Sequence, residues 1–209
     1  MRRRGGASRG SDAPRRTLVV HAHPGEESLS AALLDATLAG LDRAGHEVVV
    51  QRLYADGFRA AMSAGERREY HDEFPPTDAV ARRYAEEIGR VRSMVFVYPT
   101  WWFGPPAILK GWFDRVLVHG VGFSLDDGGG LHSHLRHVRR LAGVTSYGSP
   151  RWVVRLSGDG GRRTINRTLR MMCHPACRTT WHGLYGADEV DHEATGAFVR
   201  SVEEGFATW

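Results

Sequence analysis

The run Pro99-Thr-Trp-Trp-Phe-Gly-Pro-Pro-Ala-Ile-Leu-Lys-Gly-Trp-Phe-Asp-Arg115 carries the most chemistry that can be read in this chain. It leaves the apolar stretch Met94-Val-Phe-Val-Tyr98, passes through two Trp and one Phe, and meets Pro105-Pro106 before a helical pattern begins. Trp102 and Phe103 lie deepest in that loop and offer flat apolar walls to a large planar ligand. Thr100 and Trp101 stand beside them, whereas Trp112 and Phe113 fall on the helix face and read as core. A second loop, His23-Pro-Gly-Glu-Glu-Ser-Leu-Ser30, has the ingredients of an anion cradle. The free N–H groups of a starting helix, two hydroxyls and the His23 imidazole can meet a phosphate there. The same Ser-rich turn also serves as an ordinary helix N-cap. Glu26 and Glu27 would repel a phosphate and are expected to face water, and His21 is expected to pack under the helix.

These loops need strands behind them and helices after them. Thr17–Ala22, Glu47–Leu53, Met94–Tyr98, Arg140–Ser146 and Thr179–Tyr185 read as strands. Leu29 to Ala44, stopped by Gly45, Ala79 to Val91, Pro105 to Val118, Arg163 to Met172 and Glu193 to Phe206 read as helices. Alternating strands and helices imply an α/β fold, a doubly wound five-stranded parallel sheet of order 2-1-3-4-5. Its switch point lies between strands 1 and 3, where both loops emerge. Tyr54 to Thr77 and Gly120 to Gly130 are long excursions, of the kind that form lids or pocket walls.

At 209 residues the chain is long enough for one well-cored domain, assigned to 17–209. Residues 1–16 hold six Arg against one Asp and read as a disordered leader. That leader accounts for the formal charge of +4, so the domain itself is near neutral and no nucleic-acid partner is expected. No apolar run is long enough to span a bilayer, and no apolar core follows the first arginines as a signal peptide requires. A cytoplasmic protein is expected. Cys173 and Cys177 are the only cysteines and read as free thiols, with a redox pair as the alternative. His132, His134 and His137 read as solvated, since too few further ligands accompany them to hold a metal.

The chain has no G-x-S-x-G elbow, no Walker loop and no G-x-G-x-x-G after its first strand. One phosphorylated planar cofactor lying across the strand ends, a flavin, suits the two loops. From His23–Ser30, Pro99–Arg115 and the third segment Leu141-Ala-Gly-Val-Thr-Ser-Tyr-Gly-Ser149, the chain resembles the flavodoxin-like NAD(P)H:quinone reductase family. That family includes DT-diaphorase, bacterial quinone reductases and the ancillary oxidoreductases of potassium-efflux systems.

The resemblance implies a ping-pong two-electron reduction of a quinone or similar planar acceptor, with NAD(P)H as co-substrate. It implies FMN, with FAD as the alternative, because the C-terminal extension of longer relatives is missing. His23, Ser28, Leu29 and Ser30 would then hold the phosphate end. Pro99, Thr100, Trp101, Trp102 and Phe103 would line the ring, and Thr145, Ser146, Tyr147 and Gly148 its other edge. It also implies a homodimer in which Phe123 and Leu125 are lent to the neighbour's pocket beside Trp102 and Phe103. The Tyr and His that DT-diaphorase carries after its fourth strand have no counterpart in Arg151–Asp159. The alternative function is a regulatory or electron-carrying subunit of a transporter or redox assembly, so a transporter is retained as an alternative partner.

Overall fold

The computed structural model describes residues 15–70 and 78–209. Five parallel strands form its main sheet: β1 (Arg15–His21), β2 (His46–Arg52), β3 (Ser93–Thr100), β6 (Arg140–Tyr147) and β7 (Arg178–Tyr185). Their order is β2-β1-β3-β6-β7, the expected 2-1-3-4-5 once the two short strands β4 (Phe123–Leu125) and β5 (Leu131–Ser133) are set aside. Those two pair antiparallel as a hairpin in the Gly120–Gly130 region, where a loop was expected.

Both faces of the sheet are covered, so the central strands are apolar at successive positions rather than alternately. Leu18, Val20, Met94, Phe96 and Leu141 point to one side. There they meet α3 (Ala79–Ile88), α4 (Ala107–Val116) and the helical run from Gly160 to Met172. Val19, Val95, Val97, Ala142 and Val144 point to the other, against α1 (Leu29–Arg43) and α8 (His192–Ala207). The approach of α1 to α8 depends on Gly40, where a Cβ would lie 2.4 Å from the Glu203 carbonyl oxygen.

Several expected boundaries move. β1 begins at Arg15, and Arg16 is held by Glu47 at 3.0 Å and Glu87 at 3.1 Å, so residues 15 and 16 belong to the sheet rather than to the leader. The rest of that leader lies outside the described residues. The helix after the aromatic loop starts at Ala107 with Pro106 as its N-cap, because the β-region backbone of Pro106 (ψ 150°) precedes the first helical turn. The Arg163–Met172 helix is built from α6 (Gly160–Arg163), a π-helical segment Thr164–Leu169 and α7 (Arg170–Met172).

The excursion after β2 carries a short helix, α2 (Ala64–Glu69), and its residues 71–77 lie outside the described set. Arg115 on α4 clamps it. The Arg115 side chain is 1 % exposed and donates to Glu66 and to the Arg59 carbonyl, with Asp78 at 3.4 Å. Burial would push the Glu66 carboxyl up, but the Ser63 N–H and the Arg115 guanidinium outweigh it and hold the group below its ordinary range.

Candidate functional site

Three loops converge at the C-terminal ends of β1, β3 and β6, on either side of the switch point between β1 and β3. The first is built around His23 and Ser28. His23 Nδ1 lies within hydrogen-bond distance of the Gly25 N–H at 3.0 Å, the Gly25 carbonyl at 3.1 Å and Ser28 Oγ at 3.1 Å, which leaves Nε2 without a partner among the described residues. Ser28, not Ser30, is the N-cap of α1, and its Oγ accepts the Ala31 N–H at 3.1 Å. Ala32 donates to the Ser28 carbonyl, so Leu29 and Ser30 keep the free N–H groups of the first turn. This donor set fits a phosphate. Its members are N–H groups at the positive end of a 15-residue helix, and Glu26 and Glu27 are exposed to solvent.

The Ser30 hydroxyl itself is not part of the set as its side chain stands. It is buried and lies 3.2 Å from His21 Nε2. Burial pushes the His21 imidazole down to about 4, and the charges of Arg52 and His23 act in the same direction. The unfolded chain gains this proton near 6.5 and the folded chain near 4, so the folded state loses stability as pH falls between those values. The full loss is on the order of 3 kcal/mol at the acid end, at about 1.4 kcal/mol per pH unit. His21→Gln should flatten the decline in urea midpoint between pH 7 and pH 4.5. A decline as steep as in the parent protein would refute the assignment.

The second loop is a tight turn in which Trp101 and Gly104 exchange both backbone hydrogen bonds, at 3.1 and 3.0 Å. Its central residues Trp102 (φ 49°) and Phe103 (φ 58°) are both left-handed, the pattern of a type I′ turn. Such positions favour Gly, Asn and Asp, and each bulky residue there costs about 1–2 kcal/mol. Trp102 is also 96 % exposed and Trp101 44 %, so no packing offsets the strain at the tip. Large apolar side chains held in an unfavourable backbone and presented to water are the signature of a ligand surface. The turn is fixed from behind, because the Phe103 carbonyl accepts the Gly160 N–H at 3.0 Å. Across the crevice, the rings of Trp101 and His23 are 6.2 Å apart, which brings the first two loops together.

The third loop corrects the expected lining. Thr145 is fully buried and its hydroxyl lies 2.9 Å from that of Thr100. Tyr147 points inward, stacked on Tyr185 at 4.5 Å, and its hydroxyl donates to Asp159 and accepts the Trp181 indole N–H at 3.1 Å. Both side chains brace the loop from inside, as does Pro99, which is buried at the end of β3. Ser146 and Gly148 retain exposure at the rim. Phe123 and Leu125 stand on the β4–β5 hairpin, with the Phe123 ring beside His119 and Tyr70.

The sequence reading missed Asp159, which sits in a left-handed conformation (φ 44°), caps α6 and receives the Tyr147 hydroxyl. The turn residues Ser157-Gly-Asp-Gly-Gly161 were the available signal. The remaining suggestive side chains have partners elsewhere. His132 meets Asp126 at 3.0 Å, His134 meets Ser124 at 3.0 Å and His137 meets the Ile88 carbonyl at 2.9 Å. Cys173 and Cys177 are free and buried.

A parallel sheet wound in this order, with a helix start bearing free N–H groups and an aromatic turn facing each other at its switch point, defines a flavodoxin-like protein. The chain belongs to that family, whose model of the flavodoxin-like fold matches residues 15–198. The chain is similar to NAD(P)H dehydrogenase [quinone] 1 of Rattus norvegicus, 33% identical over 127 residues, 54% of this chain and 46% of that protein. It spans about half the length of the curated relatives that it matches at 31–34% identity. Among solved structures it is similar to an NAD(P)H:quinone oxidoreductase from Methanothermobacter marburgensis. That match has a TM-score of 0.80 and 25% identity over 93% of this chain and 98% of that one. An FMN-dependent NADH-azoreductase from Bacillus anthracis, in complex with FMN, shares the fold at a TM-score of 0.72 and 15% identity, over 92% of this chain and 98% of that one.

Proposed function

We propose that the chain is a flavin-dependent NAD(P)H oxidoreductase that reduces a quinone or similar planar acceptor, with noncovalent FMN as its resident cofactor. The strained, water-exposed turn at Trp102-Phe103 facing the free N–H groups of α1 carries this reading. The named activities of the rat and Methanothermobacter relatives support the reaction class, and FMN in the azoreductase of the same fold supports the cofactor.

The N–H groups of Leu29 and Ser30 and the His23 imidazole would hold the phosphate, with Ser28 fixing their geometry. Trp101, Trp102 and Phe103 would supply the wall for the ring, and Ser146 and Gly148 its opposite edge. Bound there, a flavin supplies two-electron hydride chemistry that no side chain of the chain can perform. The protein's part is to stack the planar reactants in register, to donate hydrogen bonds and to exclude water from one face. Quinone reduction takes a hydride and one further proton. Arg151–Asp159 holds no Tyr or His to supply that proton.

The working unit in this reading is a symmetric homodimer, with Phe123 and Leu125 covering the partner's ring site. Leu125 and Leu131 are exposed on one hairpin, and Phe123 borders a mostly apolar groove of about 330 Å³ with Phe113, Leu135 and Leu169. A twofold interface puts such a patch against itself. Among the described residues no helix is long and apolar enough to cross a membrane. The two free thiols suit a reducing compartment, and the cytoplasm is proposed.

Purified protein should show flavin absorbance, release FMN on denaturation, oxidise NAD(P)H with a benzoquinone and sediment as a dimer. Colourless protein that gains no flavin absorbance with excess FMN or FAD would overturn the cofactor and the reaction together. Full turnover by a monomer at micromolar concentration would remove the dimer alone.

A further inference from the structure

Beyond the aromatic turn lies a second cavity of about 560 Å³ that the flavin reading does not use. Five arginines line it: Arg151 and Arg155 from α5 (Arg151–Leu156), and Arg162, Arg163 and Arg167 from the helical run that follows. Arg151 and Arg155 are spaced i,i+4, as are Arg163 and Arg167, so each pair forms a ridge along its own helix. Like charges at this spacing cost each helix a few tenths of a kcal/mol.

No carboxylate pairing offsets that cost. Among the described residues none of the five is in an ion pair. The only carboxylate among the described lining residues, Asp159, is engaged by the Tyr147 hydroxyl and the Arg162 N–H. Two guanidinium groups are held over rings, Arg151 over Tyr185 at 5.9 Å and Arg162 over Trp181 at 5.7 Å. The others are free to close on a ligand.

Resting on the oxidoreductase reading, the structure assigns this cavity to the adenosine 2′-phosphate that NADPH carries and NADH lacks, and so makes NADPH the preferred dinucleotide. Three observations carry the assignment. Planar guanidinium forks match phosphate oxygens two at a time, and a compact set of unpaired arginines selects a multiply charged phosphorylated ligand. The volume lies within the range of small-molecule and cofactor sites. The cavity also adjoins the ring site, because lining residue Asp159 braces Tyr147 and the adjacent Gly160 N–H holds the Phe103 carbonyl. A dinucleotide with its nicotinamide against Trp102 can thus extend its phosphorylated end toward Arg155 and Arg167. NADPH differs from NADH by one phosphate remote from the reacting ring, so the arginines act on affinity and not on the hydride step.

The experiment compares flavin-loaded parent protein with an Arg155→Gln/Arg167→Gln variant. Adenosine 2′,5′-bisphosphate is titrated by calorimetry, and steady-state KM is measured for NADPH and NADH with a neutral benzoquinone. Loss of two charge-assisted phosphate contacts should weaken bisphosphate binding and raise the KM for NADPH by about tenfold or more each. The KM for NADH, the kcat and the melting temperature should stay near the parent values, since both side chains are exposed. Unchanged bisphosphate affinity, or an unchanged NADPH-to-NADH ratio, would overturn the assignment. A KM increase seen only with a sulfonated quinone would place the anion on the acceptor and overturn it as well. Bisphosphate binding that depends on the arginines, in a protein that reduces no acceptor, would support the phosphate site and defeat the oxidoreductase reading.

Discussion

Replacing Arg115 by Met should lower the unfolding free energy by about 3–5 kcal/mol, the cost of leaving buried charges without their partner. In a chain of this size that is a drop of about 10 °C or more in melting temperature. Among the described residues the buried guanidinium is the one group that joins Glu66, Asp78 and the Arg59 carbonyl, and it lies over the Phe58 ring at 5.0 Å. Removing it leaves Glu66 without its guanidinium partner, takes one of two guanidinium partners from Asp78 and frees the excursion between β2 and α3. Gly111, one turn earlier on α4, supports the same contact, because a Cβ there would lie 2.2 Å from the Ala60 carbonyl oxygen.

Asp78 is also held below its ordinary range: burial acts upward, and the Ala81 N–H, Arg59 and Arg115 outweigh it. With both carboxyls depressed, the clamp stabilises above the ordinary carboxylate range and is lost as pH falls through their lowered values. Lys110→Ala supplies the comparison. Its pair with Asp114 is solvent-exposed and should contribute less than about 0.5 kcal/mol. Equal losses from the two variants, by urea denaturation at pH 7, would disprove the clamp.

The second large effect has opposite signs for stability and binding. Trp102→Gly should raise the unfolding free energy by about 1 kcal/mol, because glycine occupies a left-handed position without the steric cost that Trp carries there. The same change removes a stacking wall. Aromatic stacking contributes about 0.5–1.5 kcal/mol beyond buried area, so flavin or acceptor affinity should fall by about tenfold. Trp102→Ala should lose affinity to the same extent with little change in melting temperature, since the side chain buries almost nothing. Melting temperature and flavin affinity are to be measured on one preparation of each variant. Destabilised protein with parental flavin affinity and acceptor kinetics would show that Trp102 is structural.

The five strands, their order and the three loops at the C-terminal edge of the sheet were legible in the sequence because each follows from local rules. Apolar runs of strand length alternate with helical periodicity, and Gly45 marks a helix end by its backbone preference. Once the strands alternate with helices, right-handed crossovers leave few windings, and the switch point follows.

What only the tertiary structure decided depends on partners distant in sequence or on backbone that violates local preference. No Gly or Asn at 102 and 103 announces a type I′ turn, so the strain in the aromatic loop appears only when φ is known. Ser30 is withdrawn from the crevice by His21, and Thr145 by Thr100, forty-five residues away. Tyr147 turns inward because Asp159, Trp181 and Tyr185 offer its ring and hydroxyl a better environment than water. The arginines of 151–167 share one cavity only because two helices set them around it. Spacing along a chain encodes which face a residue takes, whereas its partner on that face is chosen by elements that meet only when the sheet closes.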